Sequence, residues 1–360
     1  MRIAQIAPLI ESVPPRRYGG TERIVSYLCE ALVAQGHDVT LFASGDSLTS
    51  AQLEPMCEMG LRLSPGPVDP IVFHMLMLEQ VRRRADEFDI LHVHVDVLHY
   101  AVLKEHAPRT LTTLHGRLDS VAAHRLYALY DEFPLVSISN HQRKPMPPVN
   151  WASTIYHGLP ETLLPFNPDG GDYLAFLGRI SPEKRPDRAI EIAARAGLPL
   201  KIAAKVDRVD EDYWEQKIRP MVEATPGVEY IGEIDERQKA HFLGNAKALL
   251  FPIDWPEPFG LVMIEAMSCG TPTIAYGCGS VPEVLEDGLT GYIVSGQDEA
   301  VARVADLDRL DRAAIRRTFE KRFSAGRMAR DYAALYERLA TPASPRKKRE
   351  LGAGSLNVSV

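Results

Sequence analysis

Apolar residues recur along this chain at two spacings. Short runs rich in Val, Ile, Leu and Phe read as buried strands at 2–7, 38–43, 89–95, 110–114 and 135–139. A second series at 173–177, 199–204, 228–231, 247–251 and 273–276 repeats the rhythm. Between the runs, apolar residues return every three or four positions. Ile24, Val25, Leu28 and Leu32 share one helical face, and Gly36 stands where a helix-closing glycine belongs. Met328, Tyr332, Leu335 and Leu339 mark a terminal helix at about 324–339. This alternation predicts βαβ units, and so an α/β protein with parallel sheets.

The break between the two series divides the chain. Pro160 to Gly171 holds three prolines and the pair Gly170-Gly171, a composition suited to a linker. The reading is two Rossmann-like domains at 1–165 and 166–325, followed by a helix at 326–340 expected to pack across both. Residues 341–360 are small, basic and Gly/Ser-rich, cannot bury a core, and are expected to form a disordered tail, with a basic anchor as the alternative. The total of 360 residues suits two cores.

Composition narrows the function classes. Hydrophobic residues at 45% and charged residues at 25% are those of a globular protein and exclude disordered, collagenous and fibrous readings. A net charge of −7 offers no global attraction to nucleic acid, so any anion must be held by local basic residues. The four cysteines, Cys29, Cys57, Cys269 and Cys278, form no regular pattern, and no apolar run is long enough for a membrane span. These features place the chain in the cytoplasm, with peripheral contact to the inner membrane face as the alternative. Arg82-Arg83-Arg84 after Met75, Leu76, Leu78 and Val81 could supply such a face, but a surface helix packed on its own sheet is preferred.

Four clusters carry candidate chemistry. In Glu257-Pro258-Phe259-Gly260-Leu261-Val262-Met263-Ile264-Glu265, one carboxylate precedes a helix and the other lies within it. The amides of Phe259, Gly260 and Leu261 at the helix start would attract an anion, while each glutamate could grip hydroxyls. Taken alone, two glutamates at this spacing read better as a loop charge and an ordinary helix residue than as a ligand site. The crowding of Asp254, Trp255, two prolines and Gly260 at a strand end favours a ligand site.

The loop Gly178-Arg179-Ile180-Ser181-Pro182-Glu183-Lys184 follows the first strand of the second series, where Arg179 and Lys184 can converge on a departing diphosphate; a solvated basic loop is the alternative. Tyr18-Gly19-Gly20-Thr21-Glu22 joins the first strand to the first helix and fits either a tight turn or a binding loop; it lacks GxGxxG spacing. His115 closes a strand in Thr113-Leu114-His115-Gly116, where it could bond a substrate hydroxyl or serve structure. His92 and His94 share a strand face, with Asp96 in register and His99 nearby. No fourth ligand or water-activating glutamate accompanies them, so core or cleft-lining histidines are preferred to a metal site.

Together these segments resemble glycosyltransferase family 4, retaining nucleotide-sugar-dependent enzymes of the GT-B fold. The resemblance rests on the E-x7-E motif in EPFGLVMIEAMSCGTPTIA, with GGTER at 19–23, GHDVTLFA at 36–43, TLHG at 113–116, SISN at 137–140, FLGRISPEK at 176–184 and GSVPEVLEDGLTGYIV at 279–294. It implies an N-terminal acceptor-side domain and a C-terminal nucleotide-sugar domain. It assigns Arg179 and Lys184 to the donor diphosphate, Glu265 to the ribose, and Glu257 to the transferred sugar. The amides of Phe259 to Leu261 would hold phosphate or sugar. Gly19 and Gly20 would lie by the diphosphate, His115 by the reacting centre, and the backbone of Glu233 and Ile234 by the base. The implied reaction moves a hexose from a nucleoside-diphosphate sugar, UDP-linked ahead of GDP-mannose, to a hydroxyl acceptor, soluble ahead of lipid-linked, with no metal or cofactor and no nucleic acid. A GT-B phosphorylase, a nucleotide-sugar epimerase and a non-catalytic sensor are the alternatives. Two departures stand out: Ala203-Ala204-Lys205 where relatives place a glycine, and Arg185-Pro186 after Lys184.

Overall fold

In the computed structural model, residues 1–16 and 19–340 are described, so Tyr18 and the tail at 341–360 lie outside the described residues. Two parallel sheets account for the two series of runs. The first comprises β1 (Arg2–Ile6), β2 (Asp38–Ala43), β3 (Gln52–Pro55), β4 (Ile90–Val93), β5 (Thr110–Leu114), β6 (Leu135–Ser137) and β7 (Trp151–Thr154), in the order β3-β2-β1-β4-β5-β6-β7. The second comprises β8 (Tyr173–Arg179), β9 (Leu200–Lys205), β10 (Val228–Gly232), β11 (Ala246–Phe251), β12 (Thr273–Tyr276) and β13 (Gly291–Val294), in the order β10-β9-β8-β11-β12-β13.

Three strands escape the sequence pattern, and each lies at a sheet edge. Gln52–Pro55 alternates polar residues and ends in proline, which an edge tolerates because one side of the strand needs no partner. Trp151–Thr154 is half-buried throughout. Gly291–Val294 is too short to stand out, and its glycine is fixed by crowding: a Cβ there would fall 1.9 Å from the Thr273 carbonyl oxygen. The central strands are buried on both faces, which is why they read as continuous apolar runs.

Seven helices matter for the site: α1 (Gly20–Ala34), α2 (Pro70–Arg83), α3 (Pro186–Ala196), α4 (Glu236–Gly244), α5 (Leu261–Ser268), α6 (Arg312–Phe323) and α7 (Ala325–Ala340). Ile24, Val25, Leu28 and Leu32 of α1 are all buried, as their spacing predicts. Helix α2 packs Met77, Leu78 and Val81 inward, whereas Met75 and Leu76 point out, and Arg82 and Arg83 pair with Glu79. The chain returns to the first sheet at Ser324. There Leu159 donates to the Phe323 carbonyl and Ala325 donates to that of Leu159, so α6 packs on α5 while α7 packs on α1. Gly158 permits this crossing, since a Cβ would meet the Ser324 carbonyl oxygen at 2.4 Å. A single apolar cluster runs through it, from α1 by way of Phe323 and Phe259 to Met263 and Ile264.

In each sheet the order reverses once, between β1 and β4 and between β8 and β11. Ligands of open parallel sheets bind beyond the strand ends at such reversals. Here the two reversals face each other.

Candidate active site at the interdomain cleft

A cleft of about 630 Å³ lies between the strand ends. Its lining includes Gly19, Gly20, His115, Arg179, Lys184, Glu233, Ile234, Glu257, Phe259, Gly260, Leu261 and Glu265. Every residue assigned to the site from sequence therefore meets here, although the residues come from five separate segments of the chain.

The C-terminal wall is a set of charge pairs. Lys184 bonds Glu257 and lies 4.8 Å from the centre of the Trp255 ring. Asp254 donates its amide to the Glu183 carbonyl at 2.9 Å, tying the loop after β8 to that after β11. Arg185 adopts a left-handed backbone with φ 55, a conformation that glycine reaches without strain and an arginine does not. Its guanidinium compensates by bonding Asp187 at 2.9 Å and Asp254 at 2.8 Å, and Pro186 supplies the fixed φ of a first helical position. Arg179 faces Asp207 at 3.5 Å and Asp210 at 4.0 Å, and Lys205 pairs with Asp207 at 2.7 Å.

Glu265 has a partner that sequence patterns missed. Lys239 of α4 lies 2.7 Å from Glu265, whose side chain is only 4% exposed. One turn earlier, Glu236 accepts from Arg23 at 2.6 Å and from the Tyr27 hydroxyl at 2.8 Å, both on α1 of the other domain. Helix α4 thus links the C-terminal wall to the opposite domain. Nothing in the spacing of Glu236 and Lys239 distinguishes them from an ordinary exposed helical pair.

Two helix starts converge across the cleft. Gly260, at φ 80, precedes α5 with no side chain capping the helix. Gly20 opens α1, also without a side-chain cap, and a Cβ on it would sit 3.9 Å from Leu261 Cδ1. Unsatisfied amides and two helix dipoles therefore point at one volume, which suits a diphosphate. Glu22 in the first turn of α1 is buried, and desolvation raises its pKa above the usual carboxylate value. Glu11 and Arg62, 3.0 Å apart, extend the same wall.

Histidines form the rest of the N-terminal wall. His115 stacks on His157 with ring centres 5.3 Å apart, and Phe259 packs edge-on against His157 at 4.9 Å. Burial pushes the pKa of His115 down to about 3 and that of His157 well below its ordinary value. His157 was not singled out, though Tyr156-His157-Gly158 repeats the His-Gly step of His115-Gly116 beyond a strand end. His92 and His94 do share a face, with ring centres 4.1 Å apart, and all four of their nitrogens face protein groups at hydrogen-bond distance. His99 bonds Thr112 instead. Among the described residues, no group of His, Cys, Asp or Glu could hold a metal ion, and no helix is long and apolar enough to cross a membrane.

Two family models match: "Glycosyltransferase Family 4" over residues 18–177 and "Glycosyl transferases group 1" over 165–319. A D-inositol 3-phosphate glycosyltransferase of Frankia alni is 30% identical over 171 residues, 44% of this chain and 41% of that protein; the match thus spans less than half of that relative. A phosphatidyl-myo-inositol mannosyltransferase of Propionibacterium freudenreichii is 24% identical across 81% of this chain and 82% of its own. Among solved structures, Anabaena HepE in complex with UDP-glucose superposes with a TM-score of 0.70 at 16% identity, covering 94% of this chain and 100% of that one. That likeness gives the fold, which is GT-B.

Proposed function

The chain belongs to glycosyltransferase family 4, and from that premise we propose that it is a retaining hexosyltransferase using a nucleoside-diphosphate sugar. UDP-glucose is the first donor candidate, because HepE binds it, and GDP-mannose is the second, because the Propionibacterium relative is a mannosyltransferase. The acceptor is a hydroxyl compound, with a soluble polyol ahead of a lipid-linked one, in keeping with the Frankia relative's name.

The observation that carries the reading is the meeting of two uncapped helix starts with Arg179, Lys184, Glu257 and Glu265 in one cleft. Glu265 accepts from the ribose hydroxyls, displacing or sharing Lys239. Glu257 turns from Lys184 to hydroxyls of the transferred sugar, which releases Lys184 to the diphosphate. As the bond from the anomeric carbon to the diphosphate oxygen breaks, positive charge grows on the sugar. The leaving oxygen's negative charge meets Arg179, Lys184 and the amides near Gly20 and Leu261. The acceptor oxygen bonds the anomeric carbon from the same face, and its proton passes to the leaving diphosphate, so configuration is retained. These cations supply the charge without a metal.

Thermal shift with UDP, GDP, ADP and their sugars tests the donor site, since ligand at one hundred times Kd adds about 2.7 kcal/mol of stability. One nucleotide class should raise Tm; no shift with any would overturn the assignment. Proton NMR of the product formed on a polyol acceptor should show the donor's anomeric configuration. Change of the donor sugar without acceptor would indicate an epimerase, and a need for orthophosphate a phosphorylase.

A further inference from the structure

Behind the N-terminal wall, a continuous chain of hydrogen bonds runs from the cleft to the last helix. His115 Nε2 lies 2.9 Å from His94 Nδ1, and His94 Nε2 lies 2.8 Å from Gln5 Oε1. Gln5 donates from Nε2 to the Tyr336 hydroxyl at 3.1 Å, and that hydroxyl is 2.7 Å from His92 Nδ1. His92 Nε2 is 2.8 Å from Thr113 Oγ1, which is 2.8 Å from the Tyr332 hydroxyl. Every member behind His115 is 3% exposed or less.

Gln5 sets the direction of this chain. Imidazoles and hydroxyls can donate or accept at each link, whereas the amide oxygen only accepts and the amide nitrogen only donates. The oxygen therefore requires the His94 proton on Nε2, leaving a lone pair on His94 Nδ1, and His115 must donate to it from its own Nε2. On the other side, Tyr336 receives the Gln5 proton and sends its own to His92 Nδ1. His92 then donates to Thr113, and Thr113 to Tyr332. Every link is satisfied in one sense. Burial supports the neutral rings this requires, holding His92 and His94 well below the ordinary histidine range. The chain ends at His115 Nδ1, a buried nitrogen without a hydrogen-bond partner. A buried orphan calls for an explanation, and His115 lines the cleft.

We propose that this chain, anchored on Tyr332 and Tyr336 of α7, locks His115 as the Nε2–H tautomer and leaves it Nδ1 as an acceptor for a substrate hydroxyl. A hydroxyl can donate to that lone pair; a carbonyl or phosphate oxygen cannot. His94, Gln5 and Tyr336 are positioning residues that act through His115, and the kinetic half of the inference rests on the transferase reading above.

Nitrogen NMR of the full chain carrying ¹⁵N-histidine reads the tautomer directly, with His115→Gln assigning the signals. At neutral pH His115 should show a protonated Nε2 and a bare Nδ1. Tyr336→Phe and Gln5→Met should mix the tautomers and lower kcat about three- to tenfold, the worth of one neutral hydrogen bond, at unchanged KM for the donor. A protonated Nδ1, or averaged nitrogens in the unmodified protein, would overturn the proposal, as would unaltered tautomer and kcat in both variants. The unmodified protein suffices for the spectroscopic test if a variant does not fold. The expected tautomer in a protein that transfers no sugar would leave the positioning intact and count against the transferase reading alone.

Discussion

The two walls of the cleft are built on opposite electrostatic plans. The C-terminal wall holds its functional groups as ion pairs, Lys184 with Glu257, Lys239 with Glu265 and Arg179 with Asp207. Apart from the Glu11–Arg62 pair, the N-terminal wall relies on neutral rings, an amide and hydroxyls, with helix amides in front. Paired charges can be exchanged for the charges and hydroxyls of an ionic donor while each buried group keeps a partner. Neutral groups of fixed tautomer suit an uncharged hydroxyl. On the proposed reading the ionic donor draws its charged partners from the C-terminal wall, with helix amides of both walls at its diphosphate, while the neutral rings face a substrate hydroxyl.

The largest expected effect strikes the charged wall. Arg179→Ala and Lys184→Ala should each lower kcat about 10²–10³-fold at saturating donor, and near-normal turnover in both would remove their role. The pair should differ in stability, because Lys184→Ala leaves the 11%-exposed Glu257 without its cation, whereas Arg179 is 29% exposed. Lys239→Met strands Glu265 in the same way and should cost about 3 kcal/mol in denaturant unfolding, with Lys239→Met/Glu265→Gln recovering part of it. Equal stability of the single and double variants would show that the pair is not coupled.

Acid should act on the neutral wall. His92, His94, His115 and His157 have depressed pKa values, His115 at about 3. Below about 6.5 the unfolded chain binds protons that these native rings refuse, so stability rises with pH and falls as pH drops. Each ring can contribute up to about 1.4 kcal/mol per pH unit below that point. Unfolding midpoints from pH 7 to 5 measure the slope, and a flat profile would mean the rings are open to protons. The smallest effect belongs to the link between the walls. Glu236→Gln weakens its bonds to Arg23 and Tyr27 and should cost about 1 kcal/mol in the same assay.

How much of this was legible in the sequence follows from where each residue sits. Central strands such as β4 and β5 announce themselves because both faces are buried, while β3 and β7 carry edge residues that alternate or blur. Glu257, Gly260 and Glu265 were visible because one short segment holds a strand end, a turn and a helix start. Lys239 was not, since its partner lies 26 positions away and only packing of α4 on α5 joins them. The buried chain behind His115 was half visible: His92 and His94 share a face by strand alternation, but Gln5, Tyr332 and Tyr336 come from distant segments that meet only when α7 returns to the first sheet.

Calorimetric titration of UDP into the unmodified protein and into Glu265→Gln tests the central claim most directly. The account predicts one saturable site, weakened about tenfold or more when the charged acceptor for the ribose is lost. Equal affinity in the two proteins, or no binding of UDP, GDP or ADP to the unmodified one, would contradict it.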